Sequence, residues 1–215
     1  MSKKPAPKKN AAARTKKALA KASTRLKPKA GSNRKPAPKR SAPAPRALPL
    51  PSSRAVADQA LAFLRFSAAT SDAQVAALPD PHALAQLHGA DNHLAWTLGH
   101  QALSRAWFAS SISGVMPPIP ESYKNLFGTN SRPSPDPAMY PPLDQLRAAY
   151  RTSLDALIAA AESLKDSDLA KPAHGDSGGW LTTRLDAVLK AAWHEGWHGG
   201  QIATLRRGLG LPPVM

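Results

Sequence analysis

Apolar residues recur at helical spacing in four stretches of this chain, and no segment shows the sustained alternation that is typical of a β-strand. The stretches predict helices from about 54 to 69, 91 to 113, 143 to 164 and 183 to 207. Several amphipathic helices without strands pack as a bundle around a shared apolar core. The pattern therefore predicts an all-α fold, a four-helix bundle, for residues 51–215.

Polar residues indicate where these helices begin. Serine, threonine, aspartate and asparagine side chains accept a hydrogen bond from first-turn N–H groups, so they are favoured as N-caps. The candidates are Ser52 or Ser53 for the first helix, Asp91 or Asn92 for the second, and the capping-box-like pair of Thr183 and Asp186 for the fourth. The first helix is expected to end before a short turn over residues 75–78.

Residues 114–142 differ in character from the predicted helices on either side. They contain eight prolines and little periodicity, and proline removes backbone hydrogen bonds from a helix. Tyr123 and Phe127 are among the few apolar side chains that can pack against the bundle. Long loops inside a compact domain are often functional. We therefore predict that this Pro-rich insert is a loop and a candidate partial lid.

The basic residues are concentrated at the N-terminus. Residues 1–50 contain 16 lysines and arginines and no acidic residue. A segment with so few large apolar side chains cannot offset the entropy cost of ordering, so we predict a disordered Lys/Pro/Ala-rich tail. Such a polycation is suited to non-specific contact with nucleic acid or another anionic surface. A solubilising tail without a dedicated partner is the alternative.

The composition excludes several classes of protein. The chain contains no cysteine, so it has no disulfide, thiolate ligand or cysteine nucleophile. No apolar run approaches the roughly 18 residues of a membrane span. The basic N-terminus also lacks the apolar segment of a secretory signal. We therefore expect a cytoplasmic protein without a membrane span.

The stretch from Trp193 to Gln201 contains a possible metal-binding pair. His194 and His198 are four residues apart, so in a helix both imidazoles lie on one face. Two side chains at this spacing can bind one metal ion. The same residues also match the His-Glu-x-x-His pattern of zinc proteases, with Glu195 in the position of the general base.

A third histidine of interest lies in the second predicted helix. His100 falls in an apolar stripe with Trp96, Leu103 and Trp107, and a buried imidazole needs a hydrogen bond or a metal. Three histidines would leave one position open on a tetrahedral zinc ion. His93 is the rival, but it lies about 10 Å away along the helix and is expected at the polar surface or the rim.

The zinc-protease pattern lacks its third ligand here. The familiar zincins take that ligand downstream of the second histidine, and no His, Asp or Glu follows His198. A third protein ligand must therefore come from upstream. Glu195 lies about 100° around the helix from His194, which leaves its role open.

These motifs make the chain resemble the DinB-like metal-binding proteins, which are bacterial four-helix bundles. The resemblance rests on Asn92–His100 and on His194-x-x-x-His198-Gly-Gly-Gln201, and it covers about residues 55–213. It implies that His100, His194 and His198 bind a divalent metal such as zinc, nickel or iron. Family members include S-transferases and isomerases that use low-molecular-weight thiols. The basic tail and the Pro-rich insert depart from the family pattern.

The hypothesis for function is a metal-dependent enzyme, transferase- or hydrolase-like, that activates a thiol or water for attack on a small electrophile. The alternative is a non-catalytic metal-binding scaffold that its tail tethers to nucleic acid. A homodimer and a small-thiol cofactor are both left open. Gln201 and Glu195 are candidates for orienting a ligand imidazole, and Trp96, Trp107 and Trp197 are candidates for lining a pocket.

Overall fold

The computed structural model of this protein describes residues 51–89 and 91–214, and the regular secondary structure within them is helical. The predicted basic tail, residues 1–50, lies outside the described residues. The α-helices, in chain order, are α1 (Ser53–Ala76), α2 (Leu94–Ser113), α3 (Ser122–Phe127), α4 (Leu143–Glu162), α5 (Asp166–Leu169) and α6 (Arg184–Gly208). Four of them are long, which confirms the predicted all-α four-helix bundle.

The bundle is built from two closely packed helix pairs, α1 with α6 and α2 with α4. Small residues allow α1 and α6 to approach each other. A Cβ atom added to Gly199 would lie 2.5 Å from Oγ of Ser71, and that hydroxyl donates to the carbonyl of Glu195 at 2.7 Å. This contact fixes α6, the helix that carries two of the three histidines, against α1.

The apolar core runs the length of the bundle in two adjoining clusters. Full burial of each large apolar side chain contributes about 1.5–3 kcal/mol, so these clusters are the main source of stability. Central members are Leu64, Phe108, Leu157 and Val188 in one cluster and Leu94, Leu98, Phe127, Leu146 and Ile202 in the other. Among the described residues, no helix is both long and apolar enough to cross a membrane.

Two of the predicted helix starts are confirmed. Ser52 is the N-cap of α1, and its Oγ accepts a hydrogen bond from the backbone N–H of Ala55 at 3.1 Å. Thr183 is the N-cap of α6, and its hydroxyl accepts from the N–H of Asp186 at 3.1 Å. Both caps satisfy N–H groups that the first turn of a helix leaves without partners.

The predicted start of α2 and the predicted exposure of His93 are wrong. His93, instead of Asp91 or Asn92, is the N-cap, and its Nδ1 accepts from the N–H of Trp96 at 3.2 Å. The side chain is fully buried, and its Nε2 donates to the carbonyl of Ser134 at 2.9 Å. Both ring nitrogens are therefore occupied, so His93 caps α2 and ties the insert to it.

Two other predicted connections contain more helix than expected. The turn predicted over residues 75–78 is wrong at its start, because α1 continues to Ala76 with Gln74 and Val75 buried. The insert 114–142 includes the helix α3 and a 3₁₀ turn at Pro137–Met139. Packing of buried side chains, including Tyr123 of α3, outweighs the weak local preference for irregular structure.

Candidate metal centre

Three histidines from two helices meet beside a cavity between α2, α6 and the insert. His100 lies in the middle of α2, and His194 and His198 lie one turn apart on α6. One ring nitrogen of each can be chosen so that all three lie within 4.8 Å of one another. The structure thus brings together the three residues that the sequence suggested as metal ligands.

The spacing of two of these rings fits a shared metal ion. Nε2 of His100 and Nε2 of His194 are 3.3 Å apart. Zinc–imidazole bonds of about 2.0–2.1 Å at tetrahedral angles place two nitrogens about 3.3 Å apart. Nδ1 of His100 donates to the carbonyl of Phe127 at 2.7 Å. This bond leaves a lone pair on Nε2, as metal ligation requires.

His198 has an unpartnered polar atom. Its side chain is buried, and its Nδ1 makes no hydrogen bond to any described residue. A buried polar atom without a partner costs about 1–3 kcal/mol. The nearby side chain of Gln201 raises the pKa of His198 and so partly offsets the lowering by burial. Oε1 of Gln201 also accepts a hydrogen bond from Nδ2 of Asn92 at 3.1 Å. The unpartnered imidazole therefore fits a donor set that a metal completes.

Burial keeps the three imidazoles neutral at physiological pH. Burial is the largest of the effects that lower the pKa of His194 to about 2, and the nearby His198, His100 and Arg105 contribute to the same lowering. It lowers the pKa of His198 to about 3, with a smaller contribution from His100. The pKa of His100 is also lowered by burial, against the opposing effect of its bond to Phe127. Neutral imidazole is the form that binds metal ions.

Mild acid is expected to destabilise the metal-free protein. In the folded protein the pKa of His194 is about 2 and that of His198 is about 3, and both rise to 6.5 in the unfolded chain. Below pH 6.5 the unfolded state binds protons that the folded state does not bind. The free energy of unfolding is therefore highest above that pH and falls continuously as the pH drops toward the folded pKa values.

Urea unfolding of metal-free protein at about pH 7.5, 6 and 5 measures this loss, since carboxylates hardly titrate in that window. A variant with His194→Phe and His198→Leu is the control, because it removes both groups. Its stability should vary less with pH. If the free energy of unfolding of this variant fell as steeply with pH as that of the unsubstituted protein, the loss could not be assigned to His194 and His198.

Glu195 belongs to a buried ion pair beside the histidine cluster. Its Oε1 accepts from Nε of Arg105 at 2.8 Å, and its Oε2 accepts from Nη2 at 2.6 Å. The same guanidinium lies 3.8 Å over the ring of Tyr150 and donates to the carbonyl of that residue. Both carboxylate oxygens of Glu195 are thus bound by arginine. Arg105 was not among the site residues predicted from the sequence, where its only signal is a charge between Ala102 and Ala106.

The histidine cluster faces a cavity of about 940 Å³, whose lining includes His100 and His194. Two of the predicted pocket residues, Trp96 and Trp107, line it. Trp197 instead lines a separate cavity of about 590 Å³, together with Gln201. Two aromatic residues of the lining were not predicted from the sequence. They are Phe108, next to Trp107 on α2, and Trp180, whose position after two glycines in a polar connection was the available signal.

Phe127 connects the Pro-rich insert to the histidine cluster. Its buried ring lies against Gly99 of α2, where an added Cβ atom would clash with the ring carbons. Its carbonyl accepts the hydrogen bond from Nδ1 of His100. The ring and the carbonyl of one insert residue therefore set both the position of the insert and the orientation of a candidate ligand.

The comparison with known families agrees with this arrangement. Residues 62–202, which include all three histidines of the cluster, match the DinB superfamily. No curated protein matches the chain. DinB-like proteins typically bind a divalent metal, and the four-helix bundle and the histidine cluster described above are consistent with that property. The chain belongs to the DinB superfamily.

Proposed function

We propose that this protein is a metal-dependent enzyme that activates a thiol or water for attack on a small electrophile, with His100, His194 and His198 as the metal ligands. The main support is the position of the histidine cluster beside a cavity of about 940 Å³. Small-molecule sites typically have volumes of about 300–1,000 Å³. A purely structural ion is usually enclosed by four protein ligands, whereas two of these three histidines line the cavity.

The donor set determines the chemistry of such a site. A divalent ion bound by three neutral imidazoles keeps its full charge and lowers the pKa of a thiol or water bound beside it. The cluster contains no carboxylate that would reduce this charge. Glu195 is paired with Arg105, so the proposal does not assign proton transfer to it.

Neighbouring side chains hold the candidate ligands in place. The indole of Trp96 stacks on the ring of His100, with centroids 4.5 Å apart and planes 10° apart. The ring of Phe108 meets that of His194 edge to face at 5.8 Å. Ligand rings that are fixed in advance need little reorganisation to bind a metal. The insert contributes Met116, Phe127 and Ser131 to the cavity wall, which supports a role as a partial lid.

Turnover by the full-length protein tests this function. Protein loaded with zinc or nickel is expected to consume members of a panel of aliphatic and aromatic electrophiles, with or without an added low-molecular-weight thiol. His100→Ala should reduce the rate to the uncatalysed level, because the metal that lowers the pKa of the nucleophile is lost. Product formation followed by mass spectrometry gives the rate.

His88→Ala is the matched control, since the side chain of His88 is 75% exposed and outside the cluster. This variant should retain full activity. A metal-loaded protein that turns over no electrophile, with either thiol or water as nucleophile, would instead support the metal-binding scaffold.

A further inference from the structure

The cavity beside the histidine cluster has a wall of aromatic rings. The rings of Trp107 and Trp180 are stacked with centroids 5.6 Å apart and planes 26° apart. Phe108 lies 5.7 Å from Trp180 and 5.8 Å from His194, also measured between ring centroids. The aromatic wall, defined as Trp107, Phe108 and Trp180, therefore extends from a candidate metal ligand toward solvent.

Trp180 is held in this wall although 42% of its surface is exposed. Its backbone N–H donates to the carbonyl of Ser177 at 3.2 Å, and its carbonyl accepts from Nζ of Lys190. The same ammonium lies 5.3 Å from the centroid of the indole ring. An indole fixed at an opening, with part of its surface uncovered, provides a ready contact for a second flat ring.

The polar groups of the cavity carry little net charge. Lys124 and Asp176 are the charged residues of its lining, and their opposite charges offset each other. Lys124 also pairs with Glu121 at 3.3 Å. Ser104, a partly buried residue of α2, adds a hydroxyl group to the lining. Apart from any ion bound by the histidines, such a lining suits an uncharged molecule better than a polyanion, which needs an excess of cationic groups.

We propose that this cavity binds a planar aromatic compound, whose ring packs on the aromatic wall and whose reactive substituent is directed toward His100 and His194. Its role as the substrate rests on the proposed function, whereas its binding does not. Aromatic pairs are favoured beyond the area that they bury, so a planar ring binds this wall more tightly than a saturated ring of equal size. The ligand class is therefore an uncharged aromatic electrophile.

Calorimetric titration with 2-naphthol and with its saturated analogue decahydro-2-naphthol tests binding in the full-length protein. The aromatic compound should bind more tightly than the saturated one. Trp180→Ala is expected to weaken 2-naphthol binding about tenfold through loss of an aromatic contact. Trp193→Ala is the matched control, because Trp193 is a similarly exposed indole, 49% exposed, that does not line this cavity.

Ser104→Phe provides a second variant that fills the cavity from α2 without removing a core side chain. It should abolish saturable binding of 2-naphthol. Equal affinities for Trp180→Ala and Trp193→Ala, or unchanged binding by Ser104→Phe, would overturn the proposal.

The metal-free variant His198→Ala, which changes a residue outside the lining of this cavity, separates this inference from the proposed function. It should still bind 2-naphthol within a few-fold, because the aromatic wall is unchanged. Binding of the aromatic compound without any turnover by the metal-loaded protein would remove the enzyme proposal and leave the binding site. Turnover of aliphatic electrophiles with no binding of 2-naphthol would remove the aromatic binding site and leave the enzyme proposal.

Discussion

Replacement of His194 by alanine is expected to leave the purified protein without stoichiometric metal, with an affinity loss above about 100-fold. Loss of a residue that merely orients a ligand costs about 10- to 100-fold, and His194 is proposed to bind the ion itself. Its Nε2 lies 3.3 Å from Nε2 of His100. Elemental analysis of metal per chain, after dialysis against a weak chelator, measures the effect.

His88→Ala is again the matched control, and it should keep the metal. His198→Ala should lose it as His194→Ala does, because the two imidazoles share one face of α6. Circular dichroism distinguishes loss of a ligand from loss of the fold. Full metal occupancy in folded His194→Ala protein would overturn the ligand assignment.

Replacement of Arg105 by methionine is expected to lower the free energy of unfolding by about 3–5 kcal/mol. The substitution leaves the carboxylate of Glu195 buried and without the two hydrogen bonds that it accepts from the guanidinium. Among the described residues, the amide of Gln101, at 3.4 Å, would be the remaining hydrogen-bond partner of that carboxylate. A typical domain is stable by only about 5–15 kcal/mol, so this variant should be close to unfolding. Urea denaturation followed by circular dichroism measures the change.

A double variant tests the cause of this loss. Arg105→Met combined with Glu195→Leu should recover most of the stability, because an apolar pair of similar volume can replace a buried ion pair at little cost. Arg65→Met is the surface control, since Arg65 pairs with the half-exposed Glu162 and exposed pairs contribute about 0–1 kcal/mol. If Arg105→Met lowered the free energy of unfolding no more than Arg65→Met does, the buried pair of Arg105 and Glu195 would not stabilise the fold as predicted.

The features that could be predicted from the sequence depend on residues close together in the chain. The caps at Ser52 and Thr183 require only neighbouring backbone groups. His194 and His198 share a helix face because of their spacing. His100 required an argument by exclusion and by family resemblance, because its position beside them depends on how α2 meets α6.

The features that could not be predicted depend on which helices meet. Arg105 and Glu195 are 90 residues apart, and either charge, taken alone in its helix, suggests an exposed residue. His93 caps α2 although imidazole is not among the preferred N-caps, and Ser134 of the insert accepts its second hydrogen bond. Neither partner can be identified by local periodicity.

The apolar stripe of α2 shows a second feature that the spacing of apolar residues does not predict. His100, Leu103 and Trp107 have the spacing of a buried face, yet they are only partly buried and line the cavity. The fully buried side of the same helix includes Leu98 and Ala102. An amphipathic pattern shows which residues avoid water. It does not show whether a neighbouring helix or a binding cavity covers them.

The contact of Phe127 with α2 matters to anyone who wishes to transplant the three histidines into another scaffold. On a plain four-helix bundle, the imidazole of His100 would lack the carbonyl that fixes its tautomer. It would also lack the ring that covers Gly99. A transfer of the site to another scaffold should therefore include the three histidines, Gly99 and residues 114–142. Transfer of the helices alone would leave the site incomplete.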